Sequence, residues 1–136
     1  MDSNNAVIVS AVRTPIGEFG GSFKDVLAGD LSAVVMKEAI RRAGIDSASI
    51  EEIIWGHCIQ DFDEINTGRV AALKAGIPIE VPAYTVNRLC NSSLQALINA
   101  SLMVKWGEDF GCEESGDCCS EIRTNFMTTF IELSLT

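Results

Sequence analysis

Three short, largely apolar and β-branched runs, each followed by a helical pattern that stops at a glycine, restrict the fold of this chain more than any other feature. Residues 6–12 (Ala-Val-Ile-Val-Ser-Ala-Val) are almost wholly apolar, as expected of a strand covered on both faces. After a glycine-rich loop, Pro15-Ile16-Gly17-Glu18-Phe19-Gly20-Gly21, Asp30 is placed to cap a helix. Leu31, Val34, Val35, Ala39 and Ala43 recur there at helical spacing, and Gly44 is placed to end it. Residues 50–58 supply a second strand around Ile53-Ile54-Trp55. Asn66 caps a second helix through Ala71, Ala72 and Leu73, which stops at Gly76 with Pro78 just beyond. Residues 82–87 read as a third strand, and a third helix runs over 91–106 with Leu94, Leu97, Ile98 and Leu102 forming its core face. Lys105 suits the negative end of that helix's dipole, and Gly107 terminates it.

Alternation with connections this short predicts an α/β fold: a mainly parallel sheet, right-handed crossovers and helices packed on it. With 136 residues, the chain is long enough for one core. Its 47% apolar content separates it from disordered sequences.

The charge excludes several classes of function. The net charge is −9, against the clustered Lys and Arg of a nucleic-acid surface or a polybasic lipid anchor. No apolar run approaches the ~18–20 residues that span a bilayer. The opening Met-Asp-Ser-Asn-Asn lacks the basic and apolar regions of a signal peptide, so a cytoplasmic location is expected. Five cysteines, an odd number, then read as reduced thiols and not as a disulfide framework. The charge is also uneven. Residues 107–136 hold seven acids, one base and Cys112, Cys118 and Cys119, and have no convincing period. Residues 126–135 fit either a strand or loose chain.

Chemistry points to Cys90, between the third strand and the third helix in Val86-Asn87-Arg88-Leu89-Cys90-Asn91-Ser92-Ser93. A cysteine at a helix N-terminus faces backbone N–H groups and the positive end of the dipole, which favour thiolate. A sharp strand-to-helix turn projects the side chain, and the same N–H groups can hold an oxyanion. Position alone favours an inert core cysteine beside an ordinary cap. His57 at a strand end reads as a structural histidine. His57-Cys58 with the tail cysteines lacks the paired C-x-x-C spacing of zinc sites, so no metal is expected. Gly17-x-x-Gly20-Gly21 is neither a P-loop nor G-x-G-x-x-G and reads as a turn. Asp61-x-Asp63-Glu64 reads as a solvated acidic loop.

Four ordered motifs resemble the thiolases, above all the 3-ketoacyl-CoA thiolases of fatty acid β-oxidation. They are Val86-Asn87-Arg88-Leu89-Cys90-x-Ser92-Ser93-x-Gln95-Ala96-Leu97, the opening Val7-Ile8-Val9-Ser10-Ala11-Val12-Arg13-Thr14-Pro15-Ile16-Gly17, Ile53-Ile54-Trp55-Gly56-His57-Cys58-Ile59-Gln60, and Asn66-x-x-Arg69-x-Ala71-Ala72-x-x-Ala75-Gly76-Ile77-Pro78. The resemblance covers residues 6–107 and implies a partial thiolase-like N-terminal domain at 1–107 with a divergent acidic, cysteine-rich tail at 108–136. It implies acyl transfer between 3-ketoacyl-CoA or acetyl-CoA and CoA through an acyl-enzyme on Cys90. Coenzyme A thioesters would be substrates, with no covalently bound cofactor. A homo-oligomer, or association with thiolase subunits, is implied as well. A ketoacyl synthase shares the cysteine-at-helix logic, but Arg13-Thr14-Pro15 and Val86-Asn87-Arg88-Leu89-Cys90 match thiolases better.

The chain departs from the family at three places. Asp61-Phe62-Asp63-Glu64-Ile65 stands where thiolases are glycine-rich, Asn91 follows the cysteine where glycine is frequent, and the text after Gly107 diverges. The family's CoA-binding loop domain and second half, which carry the activating histidine and the acid/base cysteine, have no counterpart here. The expectation is a truncated thiolase unable to complete catalysis alone. The alternative is a non-catalytic remnant that associates with itself or with thiolase subunits.

Overall fold

The computed structural model describes residues 6–106 and the strand Phe126–Thr129. In chain order the elements are α1 (Ala28–Ala43), β1 (Glu52–Gly56), α2 (Thr67–Ala75), β2 (Ala83–Val86), α3 (Ser92–Trp106) and β3 (Phe126–Thr129), with short 3₁₀ turns at Ser47–Ser49 and Phe62–Glu64. The strands form one sheet in the order β2-β1-β3, and β1 is parallel to both neighbours. This is the α/β fold with a parallel sheet that the alternation predicts.

β1 is central because its sequence can be buried on both sides. Ile53 and Trp55 pack with Met36 and Ala39 of α1 and Ala71 and Ala72 of α2. Ile54, pointing the other way, packs with Ala96 and Ala100 of α3. Full burial of such side chains contributes about 1.5–3 kcal/mol each. The opposite placement of α2 and α3 follows from topology. The step from β1 to β2 moves one way across the sheet, and the step from β2 to β3 returns past β1. Right-handed crossovers then require helices on opposite faces.

Several expectations need correction. Residues 6–12 are not a strand: both edges of β1 are taken, by β2 and β3, so no ladder is open to them there. Val7, Ile8 and Val9 are exposed, and only Val12 packs against the α1–α2 cluster. A strand does form at Phe126–Thr129, in the segment whose sequence fitted either strand or loose chain. Asp30 does not cap α1. The helix begins earlier, behind Leu27, and its Gly29 N–H is received instead by the buried Glu64 carboxylate at 2.8 Å. Lys74 bridges Glu64 and Asp30 at 2.7 and 2.8 Å. The acidic loop is therefore only partly solvated. Asp61 and Asp63 are exposed, while Glu64 acts as a remote cap. In α1, Val34 is exposed.

The third helix reverses the expected orientation. Leu94, Ile98 and Leu102 are 48%, 39% and 41% exposed, and the small Ala96 and Ala100 face the sheet. The cause is the closeness of the approach. A Cβ on Gly56 would lie 2.3 Å from Ser93 N and 2.4 Å from Ser93 Cα, so α3 seats its first turn directly on β1. Larger side chains do not fit beneath this first turn, and only further along does Met103 pack against the same cluster.

Expectations for α2 hold. The Asn66 side chain accepts from Arg69 N, and Gly76 ends the helix at a left-handed φ of 81°. The loop at 17–21 is a turn, with Gly21 N–H donating to Glu18 O. Gly107 and the three tail cysteines lie outside the described residues.

A side chain at position 56 is expected to unseat α3. Gly56→Val should lower the urea midpoint by an amount corresponding to about 1–3 kcal/mol or more, measured by circular dichroism. A midpoint equal to that of the parent would show that α3 does not rest on the strand.

Candidate active site

The site lies at the carboxyl edge of the sheet, where β1 and β2 end together at the paired residues Gly56 and Val86. The chain leaving β1 turns toward α2 on one face, and the chain leaving β2 turns toward α3 on the other. Such a divergence opens a crevice beyond the strand ends, the usual ligand position in open α/β sheets.

Hydrogen bonds join the two exits. His57 N–H donates to Val86 O at 3.1 Å. Asn87 Nδ2 donates to Cys58 O at 3.0 Å, and its Oδ1 accepts from Leu89 N at 3.1 Å. The chain then turns sharply. Leu89 has φ of +51°, alone among the described non-glycine residues in that region. A left-handed conformation strains a leucine by about 1–2 kcal/mol and persists only where the surroundings impose it. Here Ser92 imposes it. The buried Ser92 hydroxyl accepts from Arg88 N at 2.9 Å and donates to Leu89 O at 2.6 Å. The strained residue immediately precedes Cys90, which stands exposed at the crest.

The structure modifies the expected surroundings of Cys90. It lies two residues before α3, in the turn and not in the helix. The N–H groups of Asn91 and Ser92 donate to Arg88 O and Leu89 O, both at 3.1 Å. They close the turn on itself and are not directed at the thiol. What the structure supplies is an exposed sulfur on an over-determined elbow.

His57 is not brought onto the α3 face. Gly56 abuts α3, so the next residue of the pleat belongs to the α2 face. There His57 Nδ1 lies 2.8 Å from Thr67 Oγ1. The Thr67 hydroxyl donates its only proton to Glu64 O at 2.9 Å. It must therefore accept from the ring, which places the imidazole proton on Nδ1. Burial pushes the His57 pKa down, against the opposing pull of Asp61 and Glu64. This is the satisfied structural histidine expected from its strand-end position.

The described residues match proteins of known classification. The family described as "Thiolase, N-terminal domain" matches residues 6–110. The chain belongs to the thiolase family. It is similar to an acetyl-CoA acetyltransferase of Syntrophomonas wolfei, 44% identical over 106 residues, which are 78% of this chain and 27% of that protein. It is also similar to the beta-ketothiolase BktB of Cupriavidus necator, 43% identical over 107 residues, 78% of this chain and 27% of that one. Among solved structures, a Bacillus anthracis acetyl-CoA acetyltransferase superposes with a TM-score of 0.73 at 47% identity, covering 76% of this chain and 26% of the other. The chain thus spans about a quarter of the length of these thiolases.

The left-handed Leu89 left no trace in the sequence, since neither glycine nor asparagine marks that position. Ser92 was legible as a small residue, though not as the hydroxyl that holds the turn.

His57 makes the fold sensitive to acid. Its folded pKa lies below the unfolded value of 6.5, so the unfolded chain takes up a proton first as pH falls. The contribution is present above that value and is lost on acidification through the folded pKa. Glu52, whose carboxyl is pushed up by burial, acts in the opposite sense nearer its ordinary range. The urea midpoint should fall between about pH 8 and pH 5.5, and His57→Asn should flatten the dependence. An equally steep dependence in the variant would place its origin elsewhere.

Proposed function

We propose that this thiolase-family chain presents Cys90 as the acyl-accepting nucleophile for a coenzyme A thioester. The observation that carries the reading is an exposed cysteine directly behind the strained Leu89, at the carboxyl edge of a parallel sheet. The family and the names of the similar proteins support the substrate class. The Cys90 thiolate attacks the thioester carbonyl carbon and a C–S bond forms. The tetrahedral oxyanion collapses, the C–S bond to coenzyme A breaks, and the departing thiolate takes a proton. The acyl group stays on Cys90 until a second CoA thiol, or the enolate of an acetyl thioester, accepts it. Dividing the transfer into two steps is what a covalent cysteine achieves. The Cys90 N–H is the proposed oxyanion donor.

Turnover needs a base, and the chain's single histidine lies on the α2 face, bound to Thr67. Acylation without efficient turnover is therefore the expected activity of this chain. Missing members of a catalytic unit lower rates by about 10⁴–10⁶. A reducing cytoplasm is the compartment proposed, where Cys90 would remain a thiol.

A second reading, association with itself or with thiolase subunits, is favoured by a specific observation. Leu94, Ile98 and Leu102 of α3 and residues Val7, Ile8 and Val9 are exposed. Apolar surface on this scale is normally covered by a partner.

Incubation with acetyl-CoA should place one acetyl group on the Cys90 peptide, detected by mass spectrometry. Cys90→Ala should abolish it, and thiolysis should stay below detection in preparations cleared of host thiolase. Acetylation that survives Cys90→Ala would remove the nucleophile assignment. For the second reading, light scattering should report more than one chain per particle, or a hydrophobic dye should bind. A monomer with a cooperative melt and no dye binding would contradict it.

A further inference from the structure

A line of polar side chains runs from the elbow along one edge of α3. Arg88 Nη1 donates to Gln95 Oε1. Gln95 Nε2 donates to Asn99 Oδ1 at 2.7 Å, and the Asn99 side chain hydrogen-bonds the Tyr84 hydroxyl on β2. Beyond Tyr84 lies Glu52 of β1, near enough to oppose ionisation of the tyrosine, and its Oε2 is buried with no partner among the described residues. From Arg88 to Gln95 and from Gln95 to Asn99 the donors point the same way, away from the Arg88 cation. In such a chain each bond polarises the next. Gln95 is the hinge of the line, because both ends of its amide are engaged and its orientation is fixed.

We propose that Gln95 is a positioning residue for Cys90: by holding the Arg88 side chain against α3 it fixes the place of the positive charge carried two residues before the thiol. The inference rests on the reading of Cys90 as nucleophile. Two sets of contacts act on the elbow at different levels. Ser92 and Asn87 hold its backbone, through Arg88 N, Leu89 O and Leu89 N. Gln95 holds only the side chain of Arg88, which is otherwise exposed and would sample many rotamers in water. Loss of the Gln95 contact leaves the turn folded and frees the charge. Reactivity should change more than stability.

The test compares the rate of iodoacetamide labelling at Cys90 with that at the half-buried Cys58 of the same molecule, read by peptide mass spectrometry. Acetylation of Cys90 by acetyl-CoA is followed in parallel. Gln95→Leu should slow both reactions of Cys90 by about tenfold, with Cys58 labelling and the melting midpoint nearly unchanged. Gln95→Glu, whose carboxylate still accepts from Arg88, should restore the rates. Should Gln95→Leu fail to fold, Arg88→Met severs the same bond from the exposed side. Parent-like rates in the severed variant would overturn the proposal. So would a Gln95→Glu variant as slow as Gln95→Leu, or a slowing shared by Cys58 and accompanied by a lower melting midpoint. A parent chain that is not acetylated at Cys90 would defeat the nucleophile reading itself, while the labelling ratio would still decide the role of Gln95.

Discussion

Because Gly56 carries no side chain, the backbone of Ser92 and Ser93 can lie directly on the central strand, and the site inherits its geometry from that contact. The elbow between β2 and α3 spans only residues 87–91. With Val86 paired to Gly56 at one end and Ser93 resting on Gly56 at the other, these residues have little choice of path. A wider separation would relax the turn and remove the need for a left-handed Leu89. The strain at that residue is thus a consequence of close helix–strand packing. Ser92 stabilises it by accepting one backbone hydrogen bond and donating another across the bend.

The same packing decides which chemistry shares a face. β1 alternates strictly, so consecutive residues at its exit serve different layers. Gly56 meets α3, and His57 meets Thr67 at the start of α2. Two adjacent residues therefore take part in separate constructions, one supporting the nucleophile elbow and one joining α2 to the sheet. Glu64 extends the second construction. Its carbonyl receives Thr67 and its carboxylate receives Gly29 at the start of α1, so the loop that departs from the family's glycine-rich text gains a capping role.

Much of this architecture was legible where local and tertiary demands agree. Ile53-Ile54-Trp55 reads as a two-faced strand because both faces are covered, and Asn66 and Gly76 bound α2 through interactions within a few residues. The place of Cys90 at a strand-to-helix boundary was legible, while its reading as a nucleophile came from the resemblance to thiolases. The misreadings arise where a distant partner decides. Residues 6–12 have strand composition, yet composition supplies no neighbour, and β1 has no edge left for them. Asp30 has the chemistry of a cap, but Glu64, remote in sequence, occupies the N-terminus of α1 while Asp30 pairs with Lys74. Periodicity found the apolar residues of α3 and assigned the wrong face to the sheet, because spacing is blind to how closely two backbones approach.

That reversal gives α3 three unlike surfaces. Small residues, Ala96 and Ala100, face β1; polar residues, Gln95 and Asn99, form the line toward Tyr84; and Leu94, Ile98 and Leu102 face outward. A helix on the outside of a two-layer fold places its large aliphatics inward and its polar residues outward. α3 does the opposite, which is the pattern of a helix between two layers. Its inner contact is made by backbone, the alanines and Met103, so Leu94, Ile98 and Leu102 are left on the outside. The elbow that carries Cys90 opens onto the N-terminal end of this same helix. Leu94 follows Cys90 by four residues, so the exposed aliphatic row begins at the end of the helix that the elbow leads into.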